Sequence, residues 1–279
     1  MTVSQPDIAF LRELVYKRSA IVIEPDKDYL VEARLGPVAR DQGYGSIGDL
    51  VTKLRGGAHA SPELTTRVVE AMTTNETTFF RDTGPFEALE KRILPELIKA
   101  RAATKTLTIW SAACSTGQEP YSVAMLLDEA FPQLKDWRIR ILATDLSTAV
   151  LDRAREGKYR QLEVNRGLPA RLLVKYMERV GTDWRLKSEL RQRVEFRQMN
   201  LVEPWSHTGR FDVIFLRNVL IYFDVETKKG ILGRMRQTLA PDGFLFLGGA
   251  ETTLHLDPSY EREQYERATF YRPTAGAKG

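Results

Sequence analysis

The sequence predicts an α/β protein: a doubly wound, mostly parallel sheet, preceded by a small all-helical domain and carrying a small β insertion. Three patterns predict it. In the first, Leu107–Glu119 is a short apolar strand that runs into a small-residue turn ending at Gly117, and a helical pattern follows. That helix leads to a second strand closed by the acid Asp145. Strand, turn, helix and acid-tipped strand in this order form the unit that holds an adenosine-containing ligand outside the carboxyl ends of an open parallel sheet. The second pattern is continued alternation of strand and helix toward Arg272, and the third is the lack of any strand-like run before Thr73.

From about Pro6 to Leu54 the chain reads helical. Ile8, Leu11, Leu14 and Val15 recur at helix spacing, as do Tyr29–Leu35 with Val38. Gly43, Gly45 and Gly48 break the run, and Ile47, Leu50, Val51 and Leu54 resume it. Gly56, Gly57 and Ala58 break it again, and Pro62 opens a helix through Val68, Val69 and Met72. Residues 1–72 are therefore expected to form a helical domain outside the sheet. Thr73–Arg81 is too polar and β-branched for a good helix, so residues 73–84 read as a linker that contributes to the site.

Residues 85–279 hold the sheet, beginning with a helix from about Pro85 to Arg101. Strands are expected at Leu107–Ser111, Ile139–Thr144, Val194–Gln198, Phe211–Leu216, Phe244–Gly248 and Ala268–Arg272, with a turn at Pro241-Asp242-Gly243. About fifty residues separate the second strand from the third, more than one crossover helix needs. Tyr176–Val180 and Trp184–Lys187 flank a Gly181-Thr182-Asp183 turn there, which predicts a β insertion around residues 170–193. The end from Thr274 to Gly279 reads as a frayed tail.

Composition narrows the function. Apolar residues make up 43% and charged residues 28%, as in ordinary globular proteins. No apolar run approaches the roughly 20 residues of a membrane span, and no secretory signal is evident at the start. A single cysteine, Cys114, excludes an internal disulfide framework and suits a reducing cytoplasm. His59, His207 and His255 have no metal-ligand spacing. Met1–Glu70 holds nine Lys/Arg against ten Asp/Glu, while Leu151–Asn200 holds thirteen against seven. That basic segment reads either as a solvated face or as a docking surface for an acidic partner.

The turn decides the ligand class. Ala113–Gly117 lacks the Gly-x-Gly-x-x-Gly set, and Glu119 stands where a pyrophosphate would have to lie. A ligand with a ribose and a cationic amino-acid tail fits better. Asp145 can accept from two ribose hydroxyls, and Glu119 offers an anion to a cation. S-adenosylmethionine has both groups. Asn200-Leu201 follows the third strand, where adenine is often recognised, and Arg217, Asn218 and Tyr222 stand at the carboxyl end of the fourth.

Four motifs occur in order: Asn75-Glu-Thr77 with Phe80-Arg81, Ala112–Glu119 with Pro120-Tyr121-Ser122, Ala143-Thr144-Asp145, and Arg217–Phe223. Together they resemble the bacterial chemotaxis receptor methyltransferases over nearly the whole chain. The resemblance implies the class I S-adenosylmethionine-dependent methyltransferase fold and methyl transfer to glutamate side chains of chemoreceptors. It implies cofactor contacts from Asn75, Thr77 and Arg81, and from Glu119 to the methionyl ammonium. It further implies Asp145 on the ribose, Asn200 and Leu201 beside the adenine, and Arg217 and Asn218 at the transfer site with Tyr222. Arg81 and Tyr222 are the candidates for orienting the incoming carboxylate, because a glutamate with a reference pKa of about 4.3 needs no general base. Arg81 or Arg217 has the fork geometry to pair with a carboxylate bidentately.

The partner it implies is the cytoplasmic helical region of chemoreceptors. The short turn Val180–Trp184 is expected of the version of the insertion that uses no C-terminal tether peptide. Arg34 and Arg40, beside Lys27, form a cluster that could face the receptor's acidic helices. A cytoplasmic monomer that neither inserts in a membrane nor binds nucleic acid completes this expectation. Methyl transfer to RNA or a small molecule, a non-catalytic cofactor-binding module, and a nicotinamide oxidoreductase stay open as alternatives. Individual residues have structural rivals too: a helix cap for Asp145, an ion pair for Arg81, core packing for Tyr222. Cys114, Trp110 and Trp205 read as packing, and Gly248 and Gly249 as permitting close approach after the fifth strand.

Overall fold

The computed structural model describes residues 3–56, 61–205 and 209–274. Gly57 and Ala58, His59, His207 and the tail after Thr274 lie outside the described residues.

Four helices come first: α1 (Gln5–Ser19), α2 (Asp28–Asp41), α3 (Ile47–Leu54) and α4 (Pro62–Met72). Serines begin three of them. Ser4, Ser46 and Ser61 accept from Asp7, Asp49 and Leu64 amides respectively, and Pro6 and Pro62 occupy first turns where no amide bond is lost. Gly43, at φ +77°, closes the turn after α2, whereas Gly48 lies inside the first turn of α3 and interrupts nothing. Their apolar stripes meet in one cluster around Leu11, Val15, Val31, Leu35, Leu50 and Val68. No helix among the described residues is long and apolar enough to cross a membrane.

Ten strands follow among the described residues. They are β1 (Thr106–Ala112), β2 (Arg138–Asp145), β3 (Lys158–Arg160), β4 (Met177–Val180) and β5 (Asp183–Leu186). The rest are β6 (Val194–Gln198), β7 (Phe211–Leu216), β8 (Leu239–Leu247), β9 (Tyr260–Tyr265) and β10 (Ala268–Pro273). The main sheet has the order β6-β2-β1-β7-β8-β10-β9; β10 alone runs against the direction of the other six strands. The α/β class and the mostly parallel sheet are as the sequence predicts. The chain proceeds from β1 toward β6, then returns to β7 on the other side of β1. That reversal opens a crevice at the carboxyl end of β1.

Both faces are covered. Ile109, Val213, Phe215, Phe244 and Phe246 point into one core with helix Gln118–Ala130 and the helical run 84–100. Trp110, Ile214, Leu216 and Leu245 point into the other with helix Val225–Thr238. Trp110 and Trp205 pack edge to face at 5.1 Å, as structural residues.

Three expectations need correction. The β insertion is a three-stranded sheet, β3-β5-β4, so it includes Lys158–Arg160, outside the expected 170–193. Pro241-Asp242-Gly243 is no separate turn but a register irregularity inside β8. β9 was not anticipated, because Tyr260–Tyr265 is mostly charged and polar, as an outermost strand can be. Acids outside the basic Leu151–Asn200 segment meet part of its surplus: Arg171 and Lys175 pair with Glu129, Arg193 with Asp128, and Arg166 with Glu76.

Two side chains fix the helices against the sheet. Glu70 of α4 accepts from the Thr148 amide (2.8 Å) and hydroxyl (2.9 Å) and from Ser147 (3.3 Å), at the start of helix Thr148–Glu156. A carboxylate there satisfies a free amide and complements the helix dipole. Arg34 of α2 donates to the carbonyls of Met72 and Thr73 and to the Thr74 hydroxyl. It is a fastener for the linker, which removes it from the docking cluster expected with Arg40. Replacing Glu70 with Ala should lower unfolding free energy by about 1–2 kcal/mol in denaturant titration.

Candidate functional site

A cavity lies over the carboxyl ends of β1, β2 and β7, roofed by the linker and by the chain following α1. It brings together Asn75, Thr77, Arg81, Glu119, Asp145, Asn200, Leu201, Arg217, Asn218 and Tyr222, all ten residues singled out in the sequence. Ser19, Ile21, Met199 and Phe223 also line it.

The floor is the turn after β1. Ala113, Ser115 and Gly117 all have positive φ (57°, 51° and 93°). Gly117 is required twice over: its φ is unfavourable to side chains, and a Cβ would lie 2.9 Å from that of Ala154. The turn is held by Cys114 N–H to the Thr144 carbonyl (2.9 Å) and by Ser115 N–H to Asp145 Oδ2 (2.8 Å). Asp145 Oδ1 accepts from the Ser147 amide (3.0 Å). Ser147 and Glu70, not Asp145, cap the following helix. Burial raises the Asp145 pKa above the usual carboxylate value, an effect the amides of Ser147 and Ser115 oppose. Burial also pushes the Cys114 thiol up, which keeps it protonated and inert.

One wall is an ionic cluster. Glu119, in the first turn of helix Gln118–Ala130, accepts from Ser111 (2.7 Å) and from Arg217 Nη1 (3.1 Å). Arg217 Nη2 donates to Asp82 (2.8 Å) and to the Arg81 carbonyl (2.9 Å). The Arg217 side chain is 2% exposed, so these partners are what permit its burial. They occupy both of its terminal nitrogens, the pair it would need to clamp a substrate carboxylate, and leave its buried Nε without a partner among the described residues. Arg81 differs. It donates to the Glu76 carbonyl (3.0 Å) and pairs with no carboxylate among the described residues. The structural ion pair weighed for it is absent there.

The other wall is the loop after β7, and it depends on a residue the sequence reading passed over. Glu251 accepts from the amides of Gly248 (2.6 Å), Asn218 (2.8 Å), Val219 (2.9 Å) and Ile221 (3.4 Å). Asn218 takes a positive φ of 57° in that loop. Gly248 allows the approach, since a Cβ would come within 2.7 Å of Asn218 Nδ2 and Glu251 Oε2; Gly249 has open space and no such role. Tyr222 is partly exposed on the cavity, and its hydroxyl has no hydrogen-bond partner among the described residues. It is not plain core.

The chain after α1 crosses to this loop. Val22 N–H donates to the Tyr222 carbonyl (2.9 Å), Tyr16 to Asp224 (2.6 Å), and Asn200 Nδ2 to the Arg18 carbonyl (2.8 Å). Asn200's side chain also reaches Glu203 and Val202, so its amide is a loop tie, and Leu201 supplies an apolar surface nearby. Ile21 and Ser19 escaped the sequence reading because they belong to no motif; the break between the two helical patterns was their sole signal.

Comparison with known proteins agrees on one family. Residues 75–268 match the family model described as CheR methyltransferase, SAM binding domain, and residues 6–73 match CheR methyltransferase, all-alpha domain. The chain is 44% identical to chemotaxis protein methyltransferase 1 of Pseudomonas aeruginosa over 98% of its own length and 99% of that protein's. It is 41% identical to chemotaxis protein methyltransferase Cher2 of Pseudomonas putida, with the same coverage. Chemotaxis protein methyltransferase 1 of Vibrio cholerae is 36% identical over 98% of both chains.

Glu251→Ala strands three amides of the wall loop and that of Gly248. Unfolding free energy should fall by about 2 kcal/mol, and turnover should fall more than affinity for S-adenosylhomocysteine, as read by calorimetric titration beside initial rates.

Proposed function

Since the chain belongs to the CheR family of chemotaxis methyltransferases, which use S-adenosylmethionine, we propose that it esterifies glutamate side chains of bacterial chemoreceptors, as a protein-glutamate O-methyltransferase. One observation carries the choice of acceptor. Among the described residues the cavity's two buried carboxylates are already engaged, Glu119 by Ser111 and Arg217 and Asp145 by two amides, while Glu76 is an exposed acid in a surface ion pair with Arg166. No histidine or lysine lines it. An amine, hydroxyl or carbon acceptor must lose a proton on methylation. A carboxylate is already ionised at neutral pH and must lose none.

The residues around the cavity fit the cofactor. Glu119 and Arg81 offer opposite charges to the two ends of an amino acid, Asp145 an acceptor to ribose hydroxyls, and Leu201 with Ile21 an apolar surface to adenine. Asn75, Thr77, Asn200 and Asn218 complete the polar lining. When bound, S-adenosylmethionine supplies a methyl group activated by a sulfonium. The protein's part is to orient the incoming carboxylate and strip water from it, for which proximity alone supplies roughly 7–11 kcal/mol. Tyr222 orients it, through a hydroxyl with no other partner. Arg81 has the charge to hold the cofactor's own carboxylate, so its closeness does not quench the nucleophile. The hairpin between β4 and β5 turns on Gly181-Thr182 alone, which supports a partner engaged without a tether peptide.

The test is transfer of labelled methyl to receptor-containing membranes from the native host. Label released as methanol by mild base is expected, and base-stable label overturns the acceptor class. Tyr222→Phe should cut turnover at least about tenfold with S-adenosylhomocysteine affinity nearly unchanged. Asp145→Ala should instead weaken that affinity.

A further inference from the structure

A second groove adjoins the cofactor cavity and shares only Arg217 with it among their lining residues. It runs between the segment from Gly248 to Pro258 and the β9–β10 hairpin, and its inner end is Arg217 and Asp82. Arg217 is common to both clefts, so the groove begins where the cavity ends. Sheet order gives the direction. β8, whose carboxyl end feeds the groove, lies beside β7 on the side away from β1 and β2. Asp145 and Leu201, the residues read as contacting ribose and adenine, lie on the other side of β1, so an acceptor arriving from the β8 side would not cross them.

Its charge is one-sided. Each acid on the groove is already engaged: Asp82 by Arg217, Glu251 by four amides, and Asp257 by Arg236 and the Ser259 amide. Arg262 and Arg267 are exposed and pair with no carboxylate among the described residues; Arg262 reaches only the Thr269 hydroxyl. Strand alternation puts Arg262 on the groove face of β9, while Glu263 pairs with Arg272. Beside them Leu254 stands 67% exposed. Two free guanidinium groups next to one apolar side chain match a segment bearing several carboxylates on one face and an apolar residue between them.

We propose that this groove seats the receptor segment that presents the glutamate, with Arg262 and Arg267 holding neighbouring carboxylates. The inference rests on the carboxylate-acceptor reading above and deepens it. Docking through exposed charge acts on encounter and affinity and not on the chemical step. In the full-length R262E/R267E variant, KM for receptor membranes should therefore rise at least about tenfold. Turnover at saturating receptor and affinity for S-adenosylhomocysteine should hold, and the rise of KM with salt should flatten or reverse. R262Q/R267Q, which loses charge without adding repulsion, should show a smaller rise and serves if the reversed variant melts early. Unchanged KM with base-labile product in wild type overturns the groove alone. Loss of turnover without a KM change also overturns it. Base-stable product in wild type overturns the acceptor reading and the groove with it.

Discussion

The buried Arg217 guanidinium is the contact on which the site's geometry hangs. Its three partners come from two places: Glu119 from the first helix after β1, and Asp82 and the Arg81 carbonyl from the linker. A charge this deep is tolerable only when countercharges and acceptors meet it, as they do at both terminal nitrogens though not at Nε, and removing one member leaves another charge buried and alone. The ionic cluster is thus a joint. It sets where the linker crosses the sheet, hence where Arg81 points and how the two clefts are divided. Glu251 does the same by the opposite means, as an anion gathering backbone amides around the loop after β7.

Much of the fold was legible because its signals are local. The apolar runs of β1, β2 and β7 are buried on both faces, which parallel strands covered by helices require, and Pro62 announces a helix start. What was illegible depends on tertiary partners. Tyr260–Tyr265 becomes a strand because β10 offers a ladder, not through any alternation of its own. Three residues of β3 carry too little pattern to register at all.

The candidate site shows the same division. Ten residues lying on motifs converge on one cavity, since a motif is a set of side chains already spaced for a common target. Their individual tasks were less readable. Arg34 looked like surface charge and fastens the linker; Arg217 looked like a carboxylate clamp and is itself clamped. Charge alone told what these residues could bind, and only their neighbours told what they do bind. Glu251 and Ile21, lying outside every motif, had no spacing to betray them.

The left-handed backbone at Ala113, Ser115 and Asn218 constrains how this chain can vary. Each sits in a region that costs a non-glycine residue about 1 kcal/mol or more. Selection for thermal robustness alone would push Ala113 and Ser115 toward glycine or asparagine, keep Asn218, and reject β-branched residues at all three. Selection for catalysis would act elsewhere, on the direction in which the adjoining amides point, whatever side chain they carry. A mutational scan of these positions would therefore record the shape of the main chain, and a chemist reading it as side-chain preference would misjudge the site.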